Sequence, residues 1–285
     1  MKVEEKIIQL RTIKMNVAEC GEGQPILFLH GFPECGYSWR YQLKGLSNNF
    51  RCIAPDLRGF GKTDKPLTGY DIETISLDIM ELSEKLSLKN FVLCGHDWGG
   101  VIAWDFAYRY KTKVKALIIM NAPHPLDYIK EIFTNPFQLF KSWYVFFFQI
   151  PYIPEKILGM KNYKLLGNLI KASIINHKFF TDEDIEILMK EISKPYALKC
   201  GISYYRNAPE SFIKWRNLYT EKLNTPLCVI WGKKDKFLSV RLAKKMAEKT
   251  NEKFDLKVLE NSGHWVQQEC PEEVNRFIRE FLERI

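Results

Sequence analysis

Short apolar runs alternate along the chain with longer stretches in which apolar positions recur every three or four residues. The runs ILFLHG (26–31), CIAPD (52–56), FVLCG (91–95), ALIIM (116–120), CVIWG (228–232) and LKVLE (256–260) are each five or six residues long. Such runs read as strands buried on both faces, the pattern of a parallel sheet covered by helices. Between them, ETISLDIMELSEKLSL (73–88) sets Ile75, Ile79, Leu82 and Leu86 on one stripe of a helix. The opening segments KIIQL and IKMNVAEC read as an antiparallel pair at the sheet edge. The closing segment PEEVNRFIREFLERI starts with Pro271 and two acids, as a helix N-terminus does. Alternating strand and helix predicts an α/β fold with a mostly parallel central sheet flanked by helices.

The alternation stops between about residues 122 and 224. Proline, aromatic and helical stretches replace strands there, so an inserted, mostly helical lid is expected. The turn-like segments APHP (122–125) and NTP (224–226) mark its ends. This places a core domain at residues 1–124 and 224–285 and a cap domain at 125–223.

With 285 residues, 46% of them hydrophobic, the chain can bury a large core. Its apolar stretches are far shorter than the roughly 20 residues of a membrane span. The start, MKVEEKIIQL, carries charges where a signal peptide has its apolar region, so the cytosol is the expected location. Seven cysteines show no metal-binding spacing, and Cys52, Cys94 and Cys228 fall in core strands, which points to reduced thiols. The net charge of +8 is dispersed, densest at Lys233, Lys234 and Lys236. A solvated surface accounts for it, with weak attraction to anionic membranes as the alternative. No pattern of a nucleic-acid reader is present, and nothing in the sequence sets an oligomeric state.

The stretch FVLCGHDWGG (91–100) carries the chemistry. An apolar run enters a glycine-rich turn and a helix-like run, VIAWDFAYRY, leaves it. This is the strand–turn–helix of a nucleophile elbow, with Asp97 where a serine would stand. Gly95, Gly99 and Gly100 leave room for the strained turn. A carboxylate in that slot attacks carbon to form an ester, so the substrate is expected to be an alkylating one.

Together with the helical insertion and a late Gly-His pair, this chain resembles an α/β-hydrolase, and within that superfamily it is similar to the epoxide hydrolases. Seven motifs in order carry the resemblance: HGFPECGYSWRYQL (30–43), DLRGFGKTDKP (56–66), GHDWGG (95–100), FFFQIP (146–151), YYRN (204–207), WGKKD (231–235) and SGHW (262–265). It implies Asp97 as nucleophile, Asp235 as relay acid and His264 as base, in the chain order of that fold. By the same match the N–H groups of Phe32 and Trp98 form an oxyanion hole, with a cis bond before Pro33. Two lid tyrosines, Tyr144 and Tyr205, would hold the ring oxygen, with Tyr204 the weaker alternative to Tyr205. His30, Pro33 and Phe148 would line the substrate. The implied substrates are an apolar epoxide and water, and neither a metal nor an organic cofactor is needed. Vertebrate relatives with these motifs carry an N-terminal membrane anchor, which MKVEEKIIQL does not resemble, so a soluble form is expected, with a form separated from its anchor as the alternative.

Each role has a plainer alternative. Asp97 could be a turn acid, His264 a packing histidine, and Asp235 a solvated carboxylate among lysines. A backup relay acid would come from the loop after ALIIM, but NAPHP has none before Asp127. The tyrosines could be core, since SWYVFFFQ packs five aromatics together. His30 and His96 could merely pack or bond backbone, and Glu34 could position water or be a solvated loop acid. His124 and His177 have no assigned role. A haloalkane dehalogenase shares the Asp nucleophile, but a second halide donor is absent, because Phe32 offers no side-chain N–H. A fluoroacetate-type dehalogenase would carry arginine in place of Trp98. An idle, ligand-binding relative also remains open.

Overall fold

The computed structural model describes residues 2–285. Its strands are β1 (Glu4–Gln9), β2 (Lys14–Cys20), β3 (Gln24–Leu29), β4 (Phe50–Pro55), β5 (Phe91–His96), β6 (Val114–Met120), β7 (Leu227–Gly232) and β8 (Phe254–Leu259). They form one eight-stranded sheet in the order β1-β2-β4-β3-β5-β6-β7-β8. β1 and β2 are antiparallel and sit at one edge, β2 pairs antiparallel with β4, and every other pairing is parallel. The six apolar runs thus became the parallel strands and the two opening segments the edge pair. This is the α/β-hydrolase fold.

Alternate residues of the central strands supply two separate cores. Leu27, Leu29, Leu93, Leu117 and Ile119 face one side of the sheet, and Ile26, Phe28, Val92, Cys94 and Ile118 the other. On the first side lie α2 (Ile72–Lys85) and α3 (Trp98–Arg109), preceded in the chain by α1 (Arg40–Leu46). Asp71 caps α2 by accepting from the Thr74 amide, and the predicted stripe of Ile75, Ile79 and Leu82 is buried. Six helices follow β6: α4 (Pro125–Thr134), α5 (Pro136–Lys141), α6 (Trp143–Phe147), α7 (Ile153–Ser173), α8 (Asp182–Ile192) and α9 (Ala197–Leu218). After β7 come α10 (Val240–Lys244), α11 (Val266–Glu269) and α12 (Pro271–Leu282). On the second side α12 buries Val274, Ile278 and Phe281 against Leu43 and Leu46 of α1. All seven cysteines are free and buried.

The parallel register aligns the carboxyl ends of the strands. Leu29 pairs with Gly95, His96 with Met120, Met120 with Ile230, and Gly232 with Leu259. The loops leaving β3, β5, β6, β7 and β8 therefore converge on one edge, the position at which open α/β sheets gather their ligands.

Candidate active site

Asp97 follows β5 and precedes α3 with φ +49° and ψ −120°. A side chain rarely adopts such a conformation, at a cost of about 1–3 kcal/mol, and the turn persists because its neighbours are small. A Cβ on Gly95 would lie 2.3 Å from the Gly99 carbonyl oxygen, and one on Gly99 would lie 2.0 Å from that of Leu29. The elbow is thereby pressed against β3, and the carboxylate is raised beneath α4–α9.

The loop after β3 reaches back to Asp97. The Phe32 amide donates to Asp97 Oδ1 at 2.9 Å, and the Phe32–Pro33 bond is cis. Trp98 follows Asp97 directly as the first residue of α3, and the Asp97 side chain caps none of that helix's amides. Glu34 lies in this loop and is buried. It sits 2.8 Å from His96 Nδ1, and it accepts from the Gly31 amide and from the side chains of Gln267 and Gln268. Burial alone would raise its pKa, but the His96 ring and these donors hold it at about 2. Glu34 is therefore a buried structural charge rather than a solvated loop acid. The other nitrogen of His96 lies 3.0 Å from the His264 carbonyl, so this pair also steadies the loop after β8.

His264 stands across from Asp97. Its Nδ1 is 2.8 Å from Asp235 Oδ2 and its Nε2 is 3.6 Å from Asp97 Oδ2. Asp235 is buried and well supplied with donors. The Phe237 and Leu238 amides donate to Oδ1 at 2.7 and 3.0 Å, and Asn121 Nδ2 to Oδ2 at 2.6 Å. Burial would raise the Asp235 pKa, yet His264 and these donors lower it. Burial would also lower that of His264, but Asp235 and Asp97 together push it up to about 10. In the resting site the imidazole thus carries a proton between two carboxylates.

Two apolar cavities meet at Asp97. One of about 460 Å³ is walled by Trp98, Val101, Ile129, Ile132 and Trp215. The other, about 250 Å³, is walled by Phe32, Pro33, Phe148, Leu166, His264 and Trp265. Asp97, Tyr144 and Tyr205 border both. The two tyrosine rings stand edge to face with centroids 5.9 Å apart, and Tyr205 also packs against Trp98. Burial pushes both phenols well above their ordinary pKa, so they are protonated across the neutral range.

One expectation needs correction, and the weaker of the two tyrosine candidates drops out. His30 does not line either cavity. It is fully buried, with Nδ1 2.8 Å from the Gly31 carbonyl and Nε2 accepting from the Leu57 amide, so its ring braces the loops around β3 and β4. Tyr204 points away from Tyr205, and its hydroxyl donates to the Arg58 carbonyl at 2.8 Å. His124 sits in an aromatic box of Trp104, Tyr108 and Tyr219, and burial drives its pKa well below the ordinary value, which keeps it neutral. His177 is exposed.

Four contributors escaped sequence reading: Asn121, Tyr128, Gln138 and Lys141. Asn121, with φ +40°, bridges Asp235 and the Gly232 amide. It occupies the loop in which an acid was sought, and the signal was an Asn directly after a strand, since Asn tolerates left-handed backbone. Tyr128 lines the larger cavity and donates to Ser142 Oγ at 2.9 Å, with its pKa pushed up to about 12 by burial. Gln138 and Lys141 of α5 grip the loop after β7: Gln138 Nε2 donates to the Phe237 carbonyl at 2.9 Å and Lys141 Nζ to that of Asp235 at 2.6 Å.

The family model described as alpha/beta hydrolase fold matches residues 24–271. Epoxide hydrolase 3 of Xenopus tropicalis is 39% identical over 90% of this chain and 71% of its own length. Human Epoxide hydrolase 4 is 38% identical over 95% of this chain and 76% of its length. The crystal structure of a Bacillus megaterium epoxide hydrolase in complex with an inhibitor superposes with a TM-score of 0.89 at 31% identity, covering 98% of this chain and all of that one. The chain belongs to the α/β-hydrolase fold family and, within it, to the epoxide hydrolases.

Proposed function

We propose that the protein converts apolar epoxides to vicinal diols through a covalent ester on Asp97. The observation that carries this reading is an elbow carboxylate and two phenols, raised in pKa by burial, that together border the junction of two apolar cavities.

An epoxide is strained, but opening it expels an alkoxide, so attack on carbon must be matched by donation to oxygen. Asp97 Oδ2 attacks a ring carbon while Oδ1 stays on the Phe32 amide. The C–O bond of the ring breaks, and Tyr144 and Tyr205 donate to the departing oxygen. Esterification removes the Asp97 charge, one of the two that hold the proton on His264. One phenol gives its proton to the alkoxide and is reprotonated by the proton that His264 releases, which leaves the imidazole a base. It removes a proton from water, whose oxygen attacks the ester carbonyl carbon. The Phe32 and Trp98 amides stabilise the resulting oxyanion, and the acyl C–O bond breaks as the second proton of the water passes from the new carboxyl to the departing diol oxygen. The diol leaves, Asp97 is again a carboxylate, and His264 is again protonated.

Residues 125–223 act in this reading as a cap domain on a core of residues 1–124 and 224–285. A ring at the junction can place one substituent in each cavity, so internal, 1,2-disubstituted epoxides suit the site as well as terminal ones. Intact-protein mass spectrometry of His264→Gln after mixing with styrene oxide tests the reading. A mass gain equal to the whole epoxide, mapped to Asp97, is expected. A butyl gain from 1-bromobutane with no epoxide adduct would instead make the protein a dehalogenase, and no adduct from any epoxide would overturn the reading.

A further inference from the structure

The exposed large apolar side chains are concentrated in one part of the molecule. Among the described residues all but Ile7, Leu67 and Leu77 fall between Phe133 and Ile213. The densest group runs along α4–α6 and the following loop, with Phe133, Phe137, Phe140 and Trp143 56–78% exposed and Tyr152 81% exposed. Soluble surfaces rarely display so many aromatic rings together. This patch borders the cavities: Phe133 and Phe146 line the larger one, and Trp143 and Leu169 the smaller.

Charge along this face has one free sign: the two acids of α4, Asp127 and Glu131, are paired with Lys249 and Lys245. From Phe133 to Leu169 the only acid is Glu155, and Arg206 neutralises it in a two-pronged ion pair at 2.5 and 3.0 Å. Lys156, Lys161 and Lys164 are exposed in α7, whose helical path is broken at Met160–Tyr163. Exposed aromatics flanked by unpaired lysines are the composition of a surface that lies in the headgroup region of an anionic bilayer. A second copy of the chain is a poor occupant, because pairing would bring two lysine-bearing faces and two net charges of +8 together.

We propose that the face formed by α4–α7 docks on an anionic phospholipid bilayer. The rings of Phe133, Phe137, Phe140 and Trp143 enter the boundary between headgroups and acyl chains, and the lysines meet lipid phosphates. Among the described residues no helix is long and apolar enough to cross a membrane, so the contact is peripheral. Both cavity mouths then face the lipid, where apolar substrates accumulate. The docking stands on surface composition and is independent of the chemistry proposed for Asp97.

Vesicle co-sedimentation of the full chain tests this, with vesicles of phosphatidylcholine alone and of phosphatidylcholine mixed with phosphatidylglycerol. The wild type is expected to sediment with the mixed vesicles at low salt and to dissociate as salt is raised. Phe137 and Phe140 line neither cavity, so the double variant Phe137→Ser/Phe140→Ser should keep its circular dichroism and melting temperature while binding about tenfold more weakly. Lys156→Glu/Lys161→Glu/Lys164→Glu should lose the preference for phosphatidylglycerol. Absence of sedimentation with either vesicle would overturn the proposal, as would undiminished binding by the phenylalanine variant. A dimer that this variant dissociates, without vesicle binding, would assign the face to a second copy instead.

Discussion

The two oxygens of Asp97 are not equivalent: Oδ1 accepts from the Phe32 amide at 2.9 Å, while Oδ2 lies 3.6 Å from His264 Nε2. One oxygen is pinned and the other is free to react. If Oδ2 forms the ester and water attacks the carbonyl carbon, the oxygen of the water enters the protein first. A single turnover with enzyme in excess in ¹⁸O-labelled water should therefore give unlabelled diol and label in the peptide containing Asp97. Label in the diol of that first turnover would mean that water attacks the epoxide directly.

Tyr144 and Tyr205 border both cavities, whereas Tyr204 is turned to the Arg58 carbonyl. Tyr144→Phe and Tyr205→Phe should each slow alkylation of Asp97 by about 10²-fold or more, the scale of a lost proton donor. Tyr204→Phe should leave that rate within a few-fold of wild type and lower stability by about 1 kcal/mol through the lost hydrogen bond. Rapid-quench measurement of ester formation, paired with urea unfolding, separates the two outcomes.

His264 is raised from 6.5 to about 10 in the folded protein. A group raised on folding contributes stability that is complete below its unfolded pKa and is lost as pH climbs to the folded value. Unfolding free energy should accordingly fall between about pH 6.5 and 10, with this residue adding a slope that approaches about 1.4 kcal/mol per pH unit. In His264→Gln that increment should vanish over the same interval. Equal slopes for the two proteins would show that His264 is not held protonated by Asp235 and Asp97.

Leu166 walls only the smaller cavity. Leu166→Trp should close that arm and lower kcat/KM for a 1,2-disubstituted epoxide by about tenfold or more, the scale of a blocked apolar subsite. A terminal epoxide, which leaves this arm empty, should be turned over nearly as before. A parallel loss for both substrates would indicate that a single arm serves all of them.

The elbow was readable because its cause is local: a strand, a run of small residues and a helix must follow one another within ten positions. The buried strands were readable for a similar reason, since continuous apolar runs have few other homes. Choosing between Tyr204 and Tyr205 is different. Neighbours on a helix differ by about 100° in direction, and only the packing of α9 against Phe60, Tyr70 and Arg58 turns Tyr204 inward. Asn121 was hidden by the search for an acid, because its contribution is a bridge between Asp235 and Gly232, more than a hundred positions away. His30 was over-read as a substrate contact for the converse reason. It adjoins the loop after β3 in sequence, but both its nitrogens are committed to backbone.

The grip of Gln138 and Lys141 on the loop after β7 joins two regions that folds of this kind are often imagined to exchange freely. The helix that precedes Tyr144 is fastened to the loop that presents Asp235. Grafting these helices onto a related core would bring the phenols along and leave the loop after β7 without its fasteners. A workable chimera built from this chain would have to inherit residues 125–223 and the segment around Asp235–Ser239 as a single cassette.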